Sequence, residues 1–459
     1  MKSLRHTFYF LILLTMVNIS CSTLLEPKPI DLLTDDVVLN EAKDVPIVEL
    51  GLYSAFRPII PGAVIAGDCT ADMLIFRGTF SQYRELCNKT ITSANSSVSS
   101  LWASIYNTIY IANFIIEKLP TVPGVKSVDR DRVLATAHFL RGYSYFIALY
   151  TYGGVPKVIG TSIEANRNIA RSSRTEILDF ILEDFTEASG KLPTETANAG
   201  FASAYALDAA LAKYHLYNEN WSAAEEYATL VISSGKFILE PKYQTLVTDD
   251  FTDEAIFEMG YTLTDDPGTD GNIGLNYLFV GRREIIPAND LVASLDSLNI
   301  SSNSRDRFFS IKFNSANLKG NDNGWSVDKY GTADQNNNNV VVFRLAEMYL
   351  IRAEARAHQN IVTGPNSAQE DINKLRSRAK AALVGSVNQG QMLSIIEEER
   401  RYELAFEGHR WYDLVRTGRA KEVMSAFSSD WKDAYELWPI PQRELLNNPA
   451  LAGNQNPGY

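Results

Sequence analysis

A helical hairpin over residues 203–237 is the feature that most constrains this fold. The segment is SAYALDAALAKYHLYNENWSAAEEYATLVISSGKF, and its apolar residues keep a helical period on both sides of a short Asn-Glu-Asn turn. Small residues recur on both halves, at Ala206, Ala209, Ala210, Ala223, Ala224 and Ala228. Small side chains let two helices approach closely. A helical pair of about 34 residues with this pattern is typical of a tetratricopeptide repeat.

Amphipathic segments elsewhere extend this helical pattern. Apolar residues recur at helical spacing over 101–119, 130–154 and 174–193, and each segment ends at or just before a glycine or a proline. Residues 343–360 and 366–380 form a second helical pair. A hairpin can bury its apolar face only against a neighbour, so repeated hairpins stack into a scaffold. The sequence therefore predicts an all-α fold of tetratricopeptide-like hairpins.

Two stretches interrupt the helical pattern. Residues 57–100 include RPIIPG and a run rich in serine and asparagine, and residues 261–339 are rich in glycine, asparagine and aspartate. Both predict irregular loops and short strands. The predicted scaffold covers about 40–260 and 340–435, the insertion covers about 261–339, and an extended tail covers about 436–459. Loops on a rigid scaffold commonly carry binding residues.

The N-terminus has the layout of a secretory signal. Lys2 and Arg5 precede the apolar run FYFLILLTMV, and small residues lead to Cys21. The run is too short to span a bilayer stably, and no comparable run follows, so we expect no transmembrane helix. Residues 1–20 are predicted to be a signal peptide and residues 21–459 the mature domain. Cys21 lies where a bacterial lipoprotein accepts its lipid; an unmodified cysteine near the cleavage site is the alternative.

Charge and motifs narrow the function classes. The net charge is -12 and the pI about 5.1, which argues against nucleic acid as a partner. The sequence contains no zinc-protease, serine-hydrolase, phosphate-loop or dinucleotide-binding motif. Its five histidines are scattered, without metal-ligand spacing. We therefore expect neither catalysis nor a resident metal or cofactor.

One acidic loop could hold calcium. Asp265, Asp266 and Asp270 offer the hard oxygen ligands that this ion prefers. Their spacing matches no known calcium motif, so a solvated turn is the preferred interpretation.

Two further cysteines, Cys69 and Cys87, are near each other in sequence. In an oxidising compartment they could pair and close a short loop. Two separate buried thiols are equally consistent with the sequence.

The most charged stretch is EEERRYELAFEGHRWYDLVRTG at 397–418. On one helix, Arg400, Glu403, Glu407 and Arg410 would share a stripe at spacings of three, four and three residues. Two carboxylates among aromatic residues could form a glycosidase site, but that chemistry needs one carboxyl with a raised pKa. Flanking arginines lower a carboxyl pKa. We therefore predict a structural ion network.

The segment ERRYELAFEGHRWYDLVRTGRA (399–420) resembles the C-terminal signature of the SusD/RagB family. The resemblance extends to LWPIPQRELLNNPALAGNQNPGY (437–459), with its Pro-Ile-Pro and its closing Gln-Asn-Pro-Gly-Tyr. Residues 101–119, 139–156 and 341–355 also match the family's pattern, as does the cysteine followed by STLLEPKP. These motifs are spread over nearly the whole chain.

The resemblance implies an outer-membrane lipoprotein of Bacteroidetes-type bacteria that faces the cell exterior. Members of the family bind glycans, or in some cases peptides, and cover a SusC-like TonB-dependent transporter. They are all-α proteins with tetratricopeptide-like pairs and are not enzymes. We therefore expect a glycan-binding lipoprotein that delivers nutrient to such a transporter. A peptide-binding uptake protein and an interaction scaffold without a small ligand are the alternatives.

The family motifs are scaffold, so candidate ligand contacts must come from chemistry. Aromatic rings stack on the C–H faces of sugars, while amides, carboxylates and arginines hydrogen-bond their hydroxyls. The candidates in the two irregular regions are Asp72, Phe76, Arg77, Tyr83, Tyr277, Trp325, Asp328 and Tyr330. Trp325 is the first choice because the polar residues before it offer little core. Local packing is the alternative for each aromatic.

Overall fold

The computed structural model describes residues 38–261, 274–297, 306–330 and 339–459. The predicted signal peptide, the lipidation site Cys21, and the calcium candidates Asp265, Asp266 and Asp270 lie outside the described residues.

Helices dominate the described ranges, and the prediction of an all-α fold is confirmed. In chain order the helices are Val45–Phe56 (α1), Ile59–Cys69 (α2), Ser81–Cys87 (α3), Ser96–Lys118 (α4), Ser127–Tyr152 (α5), Ile163–Asn166 (α6), Arg174–Ala188 (α7), Ala204–Tyr217 (α8), Trp221–Ser233 (α9), Thr245–Thr248 (α10), Asn289–Ser297 (α11), Leu345–His358 (α12), Ala368–Arg378 (α13), Gln389–Glu403 (α14), Arg410–Arg416 (α15), Ala420–Phe427 (α16) and Gln442–Asn447 (α17).

The predicted hairpin is the pair α8 and α9, and it packs as the alanine pattern indicates. Ala206, Ala209 and Ala210 on α8 are buried, as are Ala224 and Ala228 on α9. The same packing continues outward, because α9 contacts α12, which in turn contacts α13 and α14. On the other side, α4 packs on α5 and α5 on α7. Successive hairpins thus bury one another's apolar faces.

Three small antiparallel sheets interrupt the helices. The strands are Leu74–Phe76 (β1), Ala255–Met259 (β2), Ile285–Pro287 (β3), Ile311–Phe313 (β4), Trp325–Val327 (β5) and Val340–Arg344 (β6). They pair as β1 with β3, β2 with β6, and β4 with β5. Four of these strands lie in the two regions without a helical period: β1 in residues 57–100, and β3, β4 and β5 in residues 261–339. Strand β6 runs directly into α12, which fixes its pair to the helical scaffold.

One helical stretch, Ala42–Cys69, is long and apolar enough to cross a membrane by length and composition alone. Half of its apolar window is buried inside the protein. Leu52 and Phe56 on α1 and Ile59 on α2 are fully enclosed in the main core. Within the described residues, this stretch is therefore a core element.

The charged signature is not one continuous helix. Helix α14 ends at Glu403, and the chain turns through Phe406 and Gly408, whose φ angles are 66° and 80°. A Cβ at Gly408 would lie 2.6 Å from the Cα of Val64, so only glycine fits this turn. Helix α15 then begins at Arg410. The predicted single stripe is therefore wrong, because left-handed residues reverse the chain inside it.

Glu403 and Glu407 nevertheless lie in buried ion pairs. Glu403 accepts from Arg307 Nε and Arg344 Nη1, each at 2.8 Å, and also pairs with Arg378. Glu407 accepts from Arg344 Nη2 at 2.8 Å and pairs with Lys329. We call these six residues the Glu403–Glu407 cluster. Burial, the largest single influence, would raise the pKa of Glu403, but the three guanidinium groups hold that pKa well below its usual range.

The other two residues of the predicted stripe find partners elsewhere. Arg400 Nε donates to Asp413 at 2.8 Å, and Arg410 Nε donates to Asp72 at 2.9 Å. All four predicted residues are therefore paired, but not with one another.

Replacing Glu403 with glutamine should destabilise the fold strongly. Three buried guanidinium groups would lose their shared counter-charge, which costs about 3–5 kcal/mol when one side of a buried pair is removed. The free energy of unfolding, measured with denaturant, checks this. Glu398→Gln is the control, because Glu398 is exposed on the same helix. Equal losses in the two variants would contradict the structural role of Glu403.

Asp68 provides a pH-dependent prediction. It is fully buried, its Oδ2 accepts from the Gly408 N–H at 2.9 Å, and its Oδ1 has no partner among the described residues. Burial raises the pKa of Asp68 to about 8 from 3.8. Between pH 3.8 and about 8 the folded state therefore binds more protons than the unfolded state. The free energy of unfolding falls as the pH rises through this range.

Asp68→Asn should remove this dependence, because asparagine mimics the uncharged acid. We expect the variant to be more stable than the wild type at pH 8, by on the order of a few kcal/mol, and the gain to shrink toward pH 4. Thermal melts across this range measure it. A gain that does not change with pH would contradict the raised pKa.

Candidate ligand-binding cleft

The two irregular regions of the sequence meet in one surface. Strand β1 comes from the first region and β3 from the second, and they pair with Ile75 opposite Ile286. Strand β5 then packs against β3, bringing the loop before Trp325 to the same place. Segments some 250 residues apart in sequence therefore form a single site.

The turn after β1 is held by one buried carboxylate, Glu284. Its Oε2 accepts from the N–H groups of Thr79 at 2.6 Å and Phe80 at 2.8 Å. Its backbone carbonyl accepts from the N–H groups of Arg77 and Gly78, each at 2.9 Å. Burial would raise the pKa of Glu284, but these hydrogen bonds from Phe80 and Thr79 hold the pKa below its usual value. The turn is thus rigid without being part of a helix.

A buried charge pair fixes the opposite wall. Arg283 donates to both carboxylate oxygens of Asp322, at 2.7 and 2.8 Å, and to the Trp325 carbonyl at 2.7 Å. Arg77 adds an ion pair to Asp322 at 2.8 Å from the first wall. Asp322 also accepts from the Gly324 N–H at 2.9 Å. Bidentate pairing of this kind fixes orientation as well as distance.

Arg282 lies on the surface between the two walls. Its guanidinium lies over the Phe80 ring, 4.5 Å from the ring centre. It donates from Nη2 to Thr79 Oγ1 and from Nε to Glu284 Oε1, each at 3.2 Å. The ring and the arginine together form a flat, partly polar surface.

These groups surround an open cleft of about 680 Å³. It is lined by Arg77, Gly78, Thr79, Arg282, Glu284, Lys319, Gly320, Asn321 and Asp322. Both acids in this set are buried and hydrogen-bonded, whereas the three basic residues are exposed. The cleft therefore offers mainly hydrogen-bond donors to a ligand.

An apolar edge borders the cleft. The half-buried Trp325 packs between Phe308 and Phe313, whose ring centres lie 5.0 and 5.1 Å away. Phe313 remains 47% exposed and Leu318 53% exposed. Gly324 lies beneath them at φ 82°, where a Cβ would approach the Phe313 ring to 2.5 Å. Exposed apolar groups beside donors suit a ligand with both C–H faces and hydroxyls.

The predicted contact residues divide into two groups. Arg77 is exposed and lines the cleft, and four others are half-buried: Phe76, Tyr277, Trp325 and Asp328. Burial raises the pKa of Asp328, while nearby Lys312 opposes the shift.

Three other predicted contacts are corrected by the structure. Asp72 is buried in ion pairs with Arg401 and Arg410, at 3.0 and 2.9 Å. Tyr83 is buried beneath Phe80, and Tyr330 is buried with its hydroxyl donating to the Phe406 carbonyl at 2.5 Å. Each side chain already has its partners inside the protein, so none of the three is available to a ligand.

Several residues of the cleft and of its apolar edge were not predicted from the sequence. Arg282, Lys319 and Phe313 lie in stretches without regular periodicity, and no local pattern distinguishes them. The adjacent Arg282 and Arg283 could have indicated this site, because two basic side chains beside an acid suggest one ion pair and one further hydrogen-bond donor. No group of histidine, cysteine, aspartate and glutamate side chains able to hold a metal occurs in the part of the chain that the structure describes.

The architecture defines a class: a scaffold of helical hairpins that carries a loop-built cleft. Two family models match the chain, the SusD family over residues 312–459 and the family described as "Starch-binding associating with outer membrane" over residues 67–216. Together these ranges cover well over half of the sequence, and the chain belongs to the SusD/RagB family. The second description associates its members with the outer membrane.

Individual relatives agree over almost the full length. SusD-like protein P38 of Formosa agariphila is 27% identical over 99% of both chains. A solved "Laminarin binding SusD-like protein" superposes with a TM-score of 0.77 at 24% identity, covering 92% of this chain and all of the other. The surface glycan-binding protein A of Bacteroides fluxus gives a TM-score of 0.72 at 23% identity, covering 90% and 99%. These two structures establish the shared fold.

Asp322→Asn should loosen the cleft wall. The change removes the charge that pairs with Arg283 and Arg77, and a broken buried pair costs about 3–5 kcal/mol. Denaturant unfolding gives the total loss, and hydrogen exchange in residues 319–326 shows whether it is local. Lys319→Gln is the control: Lys319 lines the same cleft but is exposed, so its loss should change stability little. If both variants lose the same free energy of unfolding, Asp322 does not hold the wall.

Proposed function

We propose that this cleft binds an oligosaccharide. The observation that carries the proposal is the cleft itself, where exposed donors from two distant segments lie beside exposed apolar rings on a rigid base. Sugars need this combination, because their C–H faces pack on rings while their hydroxyls take hydrogen bonds. The names of two structures with the same fold, one laminarin-binding and one surface glycan-binding, support it.

We further propose that the protein captures glycan at the cell surface for a SusC-like TonB-dependent transporter. Cys21 would carry the lipid anchor, and the cleft would face the exterior. The position of Cys21 after the predicted signal supports the anchor. The association of the matching family with the outer membrane supports the location.

Binding without turnover fits the carboxylates better than catalysis does. Glu403 and Glu407, the pair that could have formed a glycosidase site, are buried among cations that lower their pKa values. A general acid needs the opposite shift. The two acids of the cleft, Glu284 and Asp322, likewise have pKa values below their usual range, despite burial that would raise them.

A glycan screen with protein lacking residues 1–21 tests the proposal, with β-glucans such as laminarin included. Phe313→Ala should weaken binding about twofold to tenfold, since a ring contact contributes about 0.5–1.5 kcal/mol. Lys319→Ala should weaken it by a similar factor, because it removes a hydrogen-bond donor worth about 0.5–1.5 kcal/mol. Calorimetry measures the dissociation constant. Tyr110→Ala is the matched control, because Tyr110 is an aromatic residue of similar exposure on α4.

Other outcomes distinguish the alternative functions. Binding of peptides but not glycans, lost in the same two variants, would indicate a peptide-uptake protein. Co-purification of a transporter, with no ligand affinity and no effect of either variant, would indicate a scaffold. If Tyr110→Ala loses as much affinity as Phe313→Ala and Lys319→Ala, the ligand binds elsewhere.

A further inference from the structure

The structure brings two cysteines of the chain into contact. Cys69 is the last residue of α2 and Cys87 the last residue of α3, and these two helices pack together. Both side chains are buried and both thiols are free, and Lys89, two residues after Cys87, donates its Nζ to the Cys69 carbonyl at 2.6 Å. The sequence left open whether they pair or lie apart; the fold places them side by side.

The segment between them carries one wall of the cleft. Residues 70–86 contain β1, the turn with Arg77 and Thr79, and the first turns of α3. A covalent bond between Cys69 and Cys87 would therefore close a loop around that wall, anchoring both of its ends.

A buried ammonium group lies beside the two thiols. Lys89 Nζ donates to the carbonyls of Cys69 at 2.6 Å and Ala71 at 2.8 Å, and no carboxylate pairs with it among the described residues. Burial would raise the pKa of Cys87, but the hydrogen bond from Cys69 and the charge of Lys89 lower that pKa, whereas burial raises the pKa of Cys69.

We propose that Cys69 and Cys87 form a disulfide that closes the cleft wall. Before the fold encloses them, one of the two cysteine thiolates attacks one sulfur of an external disulfide, such as that of a thiol oxidoreductase, and displaces its first thiolate. The other cysteine thiolate then attacks the sulfur of the first cysteine, forming the internal S–S bond and releasing the second thiolate. The external disulfide is reduced to two thiols, which take up the two cysteine protons.

The surroundings tolerate this oxidation. The partners of Lys89 are backbone carbonyls, so its hydrogen bonds persist when the thiolate charge is lost. The closed loop is short, and cross-linking it removes conformations chiefly from the unfolded chain. Exported proteins encounter the oxidising conditions that this reaction needs.

Peptide mapping tests the bond directly. The full chain is purified without reductant, alkylated under denaturing conditions and digested with trypsin. We expect the peptides 44–77 and 85–89, which contain Cys69 and Cys87, to be found joined and two hydrogens lighter than their sum. Alkylation of both cysteines would overturn the proposal, as would a bond from either one to Cys21.

Reduction provides an independent readout. Adding reductant should lower the melting temperature of the wild type by several degrees and speed hydrogen exchange in residues 70–86. Neither change should occur in Cys87→Ala or Cys69→Ala, which cannot form the bond. A reduction effect of equal size in these variants would overturn the proposal. If a variant fails to fold, the mapping of the wild-type chain still decides.

Discussion

The fold depends on the two buried carboxylates of the Glu403–Glu407 cluster. Together with Glu254 and Glu399, they neutralise four cations that come from separate parts of the chain: Arg307, Arg344, Arg378 and Lys329. A buried charge is tolerated only when it is paired, so these parts can fold only where the two glutamates meet them. Hydrophobic burial stacks the helices and includes insertion residues such as Ile311 and Val327 in the same core. The charge pairs add fixed distances and directions to that non-directional contact.

The same logic links the cluster to the cleft. Arg307 precedes β4 and Lys329 follows β5, so the cluster holds both ends of that hairpin. The hairpin carries Trp325. Arg283 donates to the Trp325 carbonyl and to Asp322, and so holds both in place. A loop-built site is therefore positioned through a series of short, charge-assisted hydrogen bonds that begins in the scaffold. This arrangement separates two tasks: the cluster maintains geometry, while exposed loop residues remain free to suit a ligand.

Sequence reasoning succeeded where the determinants are local and failed where they are distant. The alanines of α8 and α9 share one hairpin, and their spacing alone predicts the packing. Asp72 follows a short Cys-Thr-Ala stretch that resembles an exposed loop, yet its partner Arg410 lies 338 residues later. Tyr330 likewise hydrogen-bonds a carbonyl 76 residues away. No periodicity within either segment could reveal such partners. The left-handed turn at Phe406 was hidden for a different reason, because phenylalanine rarely adopts that conformation.

Charge distribution bears on what the cleft can accept. The chain as a whole is acidic, at -12, yet the exposed charged side chains of the cleft are Arg77, Arg282 and Lys319. A neutral glycan would meet these groups as hydrogen-bond donors and would bind with little dependence on salt. An acidic ligand would also be attracted over distance, and salt would weaken that attraction. Because Arg77 is already paired with Asp322 and Arg282 with Glu284, the attraction rests mainly on Lys319. The geometry thus favours a hydroxyl-rich ligand while leaving room for an acidic substituent at the Lys319 side.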